Sequence, residues 1–191
     1  MASWVQICNK SLRRVGNYRI QSLDESNEAA RSCKDVYEAV RDTVLARHPW
    51  NAALVRTTLA ADATAPTWGY ERAFTLPSDP YCLRVWRLDE YSHPAAEWKV
   101  VGRKIHTDES APLKIEYISR ITDPEQLPPF LADLISAEIA SEIAFRLSES
   151  NTKAETLRTW AEQEMRHARS MDGQEGASER IIADDFIAER Y

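Results

Sequence analysis

The sequence predicts an α+β fold: a four-helix bundle with an antiparallel β lobe inserted between the second and third helices, then an extended C-terminal arm. Three observations point there. Apolar residues recur at helical spacing near both ends of the chain, at Trp4, Cys8, Leu12 and Val15 and again at Leu131, Leu134, Ile135, Ile139, Ile143 and Leu147. Between them the period changes to two, with Leu83 and Val85 alternating with Arg84 and Trp86, and Leu113, Ile115 and Tyr117 alternating with Lys114 and Glu116. The residues after Gly173 and Gly176 share neither pattern. The expected division is helices in 1–48 and 123–173, a β lobe in 49–122 and an arm in 174–191.

Each element has its own signals. Gly16 supplies the stop for the first helix. Ser22-Leu-Asp-Glu25 fits a capping box for the second, with Ser26 as an alternative cap. That helix carries Ala29 or Ala30, Cys33, Val36 or Tyr37, Val40 and Val44, and must end by His48, because Pro49 disfavours helical geometry in the residue before it. Weaker strand signals lie in 50–60 and 70–76, separated by an exposed loop at 61–67. Trp98 to Val101 and Lys104 to Thr107 flank Gly102-Arg103, the pattern of a hairpin with glycine first in its turn. Helix resumes at Asp123, with Pro128-Pro129 in its first turn, where proline is tolerated. Ser148 to Asn151 break it. Thr152-Lys-Ala-Glu155 is a second capping box, and Gly173 is the expected C-terminal cap of the fourth helix.

Composition narrows the function classes. The 191 residues carry a net charge of −6, with 43% hydrophobic and 28% charged residues, as in an ordinary globular chain with enough apolar surface for a core. No apolar run is long enough for a transmembrane helix, and the N-terminal residues show no signal-peptide core. The expectation is a soluble protein made in the cytoplasm. Cys8, Cys33 and Cys82 form no C-x-x-C pair and read as buried thiols. A net acidic chain is a poor non-specific phosphate binder.

The search for reaction chemistry returns little. Five glycines form no dinucleotide or P-loop fingerprint, and there is no G-x-S-x-G or H-E-x-x-H. His48, His93, His106 and His167 are scattered singly. A Ser-His-Asp triad could be assembled only from distant residues. Glu138 and Glu142 share a helix face, but Arg146 one turn on makes an ion-pair ladder the better account than a dinuclear metal site. Tryptophans 4, 50, 68, 86, 98 and 160 are read as core and interface packing, since the nearby basic residues are interleaved with acids. No catalytic, cofactor or metal residue is assigned.

The motifs in sequence do resemble a family. Ile7-Cys-Asn-Lys-Ser-Leu12, Val15-Gly16 and Ile20-Gln-Ser-Leu-Asp-Glu25 are similar to the opening of the tail tubular protein A-like head-to-tail adaptors of tailed bacteriophages. The similarity continues through Tyr37, Val40-Arg-Asp42, Leu45, His48-Pro-Trp-Asn51 and Leu59-Ala60. It runs on through Trp68-Gly-Tyr70, Leu76-Pro-Ser-Asp79, Leu83-Arg-Val85, Trp98 to Ile105, Ile115-Glu-Tyr-Ile118 and Ala168-Arg-Ser-Met-Asp172, over roughly residues 3–175. It departs at Asn51, which two alanines follow where the family commonly has Phe, so the aromatic there is expected from elsewhere in the chain.

The resemblance implies a virion structural protein at the capsid–tail junction, with no enzymatic activity and no cofactor. Such adaptors form a dodecameric ring on the portal protein and a platform for the tail nozzle or tail tube, and genome DNA passes through the lumen without specific binding. No membrane is involved. Two alternatives follow, a virion-associated cell-wall hydrolase, for which Glu90 or Glu97 would have to supply paired carboxylates, and a DNA-binding protein. Beyond Gly176, Ile181, Ile182, Phe186, Ile187 and Tyr191 are too apolar for a purely solvated tail and are the expected portal-docking residues. Ordering that segment costs more backbone entropy than burying its side chains returns, so it is expected to order only on a partner.

Overall fold

Ser3 opens the first helix, α1 (Trp4–Val15), by accepting a hydrogen bond from the Gln6 N–H, and Gly16 closes it at φ 82°, a left-handed conformation that glycine adopts without strain. Leu12 and Val15 face inward and are buried, as their spacing requires. In the computed structural model, which describes residues 3–88 and 96–176, the order is α1, α2 (Glu28–Arg47), six strands, α3 (Pro129–Ser148) and α4 (Asn151–Gln174). The class is α+β.

The helix boundaries correct four expectations from sequence. Asn27, not Ser22 or Ser26, caps α2, its side-chain oxygen accepting from the Ala30 N–H at 2.8 Å. The Ser22–Glu25 motif closes a turn instead, since Glu25 accepts from the Ser22 N–H at 2.9 Å and Ser22 Oγ accepts from the Asp24 N–H at 3.1 Å. After Asp123 comes a short 3-10 turn (Pro124–Gln126), and the α-helix begins only at Pro129, which holds the first helical position. Glu149 adopts φ 51° and ends α3, so Ser150, not Thr152, caps α4 by accepting from the Lys153 N–H at 3.3 Å. Helix α4 then runs through Gly173 to Gln174, and Glu175 takes the C-cap.

Among the described residues the strands form two three-stranded antiparallel sheets. β1 (Leu54–Leu59), β6 (Leu113–Ser119) and β3 (Cys82–Leu88) lie in the order β1-β6-β3, and β2 (Arg72–Thr75), β5 (Lys104–Thr107) and β4 (Trp98–Val101) in the order β2-β5-β4. The β4–β5 hairpin turns at Gly102-Arg103, as its sequence predicts, with Gly102 at φ 61°. Of the two weaker strand segments, 50–60 opens with a 3-10 turn (Asn51–Ala53) before β1, and 70–76 shrinks to β2.

Two apolar clusters account for the packing. The larger joins α1, α2, α3 and α4 with the residues where the chain turns into β1: Leu12, Leu45, Trp50, Ile118, Leu131, Leu134, Ile139 and Met165 belong to it. Helix α3 contacts α1, α2 and α4, which explains why its apolar face is so broad. The smaller lies between the sheets, around Phe74, Val85, Ile105, Ile115 and Tyr117. The alternating residues of β6 divide between these environments, so that Ile118 meets the helices while Ile115 and Tyr117 meet the second sheet. Next to Trp50 stands Phe130, ring centroids 6.3 Å apart, a second aromatic at the place where two alanines follow Asn51.

Burial sorts the tryptophans and cysteines. All three cysteines are free and buried. Trp50 is fully buried and donates from Nε1 to the Val44 carbonyl at 2.9 Å, while Trp4, Trp98 and Trp160 are half-buried. Trp68 and Trp86 are not part of the core, and their side chains stand in solvent. Trp68 lies in the 60–71 loop, and Trp86 sits at a β-bulge, where the register of β3 on β6 slips between Val85 and Arg87.

Candidate functional site

The expected docking residues Ile181, Ile182, Phe186, Ile187 and Tyr191 lie outside the described residues, as does Glu90. What is described is the end of α4, the helix that precedes them in the chain. Helix α4 ends against the junction of α2 and the first strand, and a buried carboxylate holds it there. Asp172 is 3% exposed. Its Oδ1 accepts from the Asn51 N–H at 2.9 Å, its Oδ2 lies 3.2 Å from His48 Nε2, and its own carbonyl accepts from Asn51 Nδ2 at 2.8 Å. The last turn of α4 is thus clamped to His48 and Asn51, on either side of the bend by which the chain leaves α2.

The local sequence explains why the clamp forms there. Pro49 ends α2 with His48 extended at φ −144°, which turns the imidazole off the helix, and Asn51 begins a 3-10 turn whose free N–H needs an acceptor. Trp50, between them, plugs the large core and meets the His48 ring edge-on at 4.6 Å. Burial holds the His48 imidazole below its ordinary pKa, while Asp172 pulls the other way and Arg169 and Arg84 add to the lowering. A histidine depressed in the fold takes up its proton more readily when unfolded, so this group withdraws stability as pH falls through the ordinary value of 6.5 towards the folded one. An NMR titration of the His48 ring protons is expected to give a midpoint below 6.5; a midpoint above it would mean that Asp172 outweighs burial.

A His–Asp pair in a fold invites comparison with a catalytic triad. Among the described residues no serine or cysteine is hydrogen-bonded to His48. No group of three or more His, Cys, Asp or Glu is placed to hold a metal ion among the described residues. No described helix is long and apolar enough to cross a membrane. Glu97 contributes its backbone carbonyl to the Thr107 hydroxyl at 2.8 Å.

The ion-pair ladder expected along α3 is replaced by pairs between helices. Glu138 pairs with Arg47 of α2, and Arg146 reaches Glu28 at 3.4 Å and Asp35 at 3.5 Å, both on α2. Glu142 is left exposed without an ion pair among the described residues. Asp35, Arg47, Glu138 and Glu142 rim a groove of about 260 Å3 between α2 and α3, floored by Val36, Val40 and Val44. In the β1-β6-β3 sheet, Glu116 lies buried between Arg56 and Arg87, at 2.7 and 2.6 Å, each directly across from it in the strand register.

Nothing in the sequence spacing linked Asp172 to His48, because the two are far apart in the chain. A helix-breaking His-Pro followed by Asn, and an Asp on the inward side of the last turn of α4 beside Ala168 and Met165, were the only signals. Neither a protein-family model nor a curated protein matches the chain.

Proposed function

We propose that the chain is a virion structural protein, a head-to-tail adaptor that forms a ring on the portal, carries the tail nozzle or tail tube, and surrounds part of the DNA channel. The observation that carries this reading is the series of motifs from Ile7 to Asp172, each similar to its counterpart in such adaptors and in the same order. The reading divides the chain into a four-helix bundle from 1–48 and 123–173, a β lobe from 49–122 acting as platform, and a C-terminal arm from 174–191. Its support is that the strands fall between α2 and α3 and that α1, α2 and α4 all pack on α3. In this reading the protein works by binding other proteins, without catalysis or cofactor.

The arm is the portal-docking element. In this reading it follows directly on the Asp172 clamp, and Ile181, Ile182, Phe186, Ile187 and Tyr191 supply the apolar contacts. A ring multiplies a weak single contact, because after the first arm docks the others bind at high effective concentration. Deleting residues 176–191 is expected to leave the melting temperature of the monomer unchanged and to abolish decoration of portal rings in electron micrographs. A truncated chain that still decorates them would defeat the docking role.

A further inference from the structure

Two unlike surfaces of this chain complement one another. The bulge in β3 pushes Trp86 outward, where it is 41% exposed, and the Arg84 guanidinium lies 5.4 Å from its ring centroid. Arg84 itself makes no ion pair among the described residues. The result is an aromatic knob whose positive charge has no ion-pair partner among the described residues. The α2–α3 groove has an apolar floor of Val36, Val40 and Val44, and its rim carries Asp35, paired with Arg146, Glu138, paired with Arg47, and Glu142, which makes no ion pair among the described residues. None of its lining residues belongs to β3, so the knob does not fill the groove of its own chain.

We propose, taking the ring reading above as given, that neighbouring copies join by seating the Trp86–Arg84 knob of one in the α2–α3 groove of the next. The indole covers the valine floor, and the Arg84 guanidinium meets the Glu142 carboxylate at the rim. Tryptophan and arginine are the residues most enriched where interfaces concentrate their affinity. Because knob and groove are different patches, the contact is head-to-tail, the type that closes into a ring when the rotation allows. The area is small, so one contact alone is weak, and the chain is monomeric at low micromolar concentration until a platform gathers copies.

Sedimentation velocity on the full chain, without portal, tests the contact. The wild type is expected to self-associate reversibly as its concentration rises from about 10 μM towards about 1 mM, the range of a weak single contact. Trp86→Ala, Arg84→Glu and Glu142→Arg should each remain monomeric while melting like the wild type, since all three positions are exposed. Mixing the Arg84→Glu chain with the Glu142→Arg chain restores an attractive pair at both kinds of contact, and association should return. A wild type that stays monomeric throughout, a Trp86→Ala chain that associates as strongly, or a mixture that does not recover would each overturn the contact. Portal decoration by the wild type, scored separately, decides the ring reading: association through the knob without decoration would defeat the adaptor role and leave the contact standing.

Discussion

Trp50→Ala is expected to destabilise the protein by about 3–5 kcal/mol, and Leu134→Ala by about 2–5 kcal/mol, the ranges for deleting large side chains from a close-packed core. Both residues are completely buried and belong to the same cluster. Trp50 costs more for two reasons. Its ring touches the part of the core where the four helices meet the first strand, and its Nε1 hydrogen satisfies the Val44 carbonyl in the last turns of α2. Removing it opens a cavity and leaves a buried acceptor unpaired. At about 2–4 °C per kcal/mol for a chain of this length, the melting temperature should fall by roughly 6–20 °C. Calorimetry on both variants checks this; near-wild-type melting would mean that the helical core does not depend on the junction.

The second large effect is expected at Asp172. Replacing it by Ala removes the acceptor of the Asn51 N–H and the partner of His48, in a site with little access for water. Hydrogen bonds to a charged group contribute about 1.5–3 kcal/mol, and the loss should be of that order. Unlike the Trp50 variant, its damage should be local. Amide exchange is expected to quicken in the last turn of α4 and at Asn51, with little change in α1 or the sheets. Asp172→Asn keeps an acceptor for Asn51 and should recover most of the protection. If Ala and Asn behave alike, the carboxylate is not what holds the end of α4. Loosening that turn also moves the point from which the C-terminal arm departs, so in the proposed adaptor the Ala variant should decorate portal rings less completely than the wild type.

How far the sequence reaches differs from element to element. The first helix and its end are legible because the apolar spacing and the Gly16 stop act within one short segment, whereas the Ser3 cap at its start came only with the structure. The caps of α2 and α4 were misplaced because capping boxes are common local patterns. Ser22–Glu25 satisfies its own backbone groups in a turn and leaves the helix to Asn27, one residue before its start. Gly173 failed as a stop because nothing in the fold required a left-handed residue there, while Asp172 was already held in helical geometry by Asn51 and His48.

The alternation of β3 and β6 and the hairpin at Gly102 came from period and turn chemistry alone, so the presence of strands was set by sequence. Their distribution over two sheets was not, because it depends on which strand edges pair across long loops. The same division holds for charge. Sequence alone determined that Glu138, Glu142 and Arg146 share one helix face, since that is fixed by 3.6 residues per turn. Only the packing of α2 against α3 decided that Arg47 would take Glu138 and that Glu28 and Asp35 would engage Arg146, leaving Glu142 without an ion pair among the described residues. Local periodicity acts through bonds and nearest turns and can be read from the chain. The Asp172 clamp, the exposed Trp86 and the groove exist only once segments far apart in sequence are brought within a few ångströms, and that is settled by the burial of the two cores.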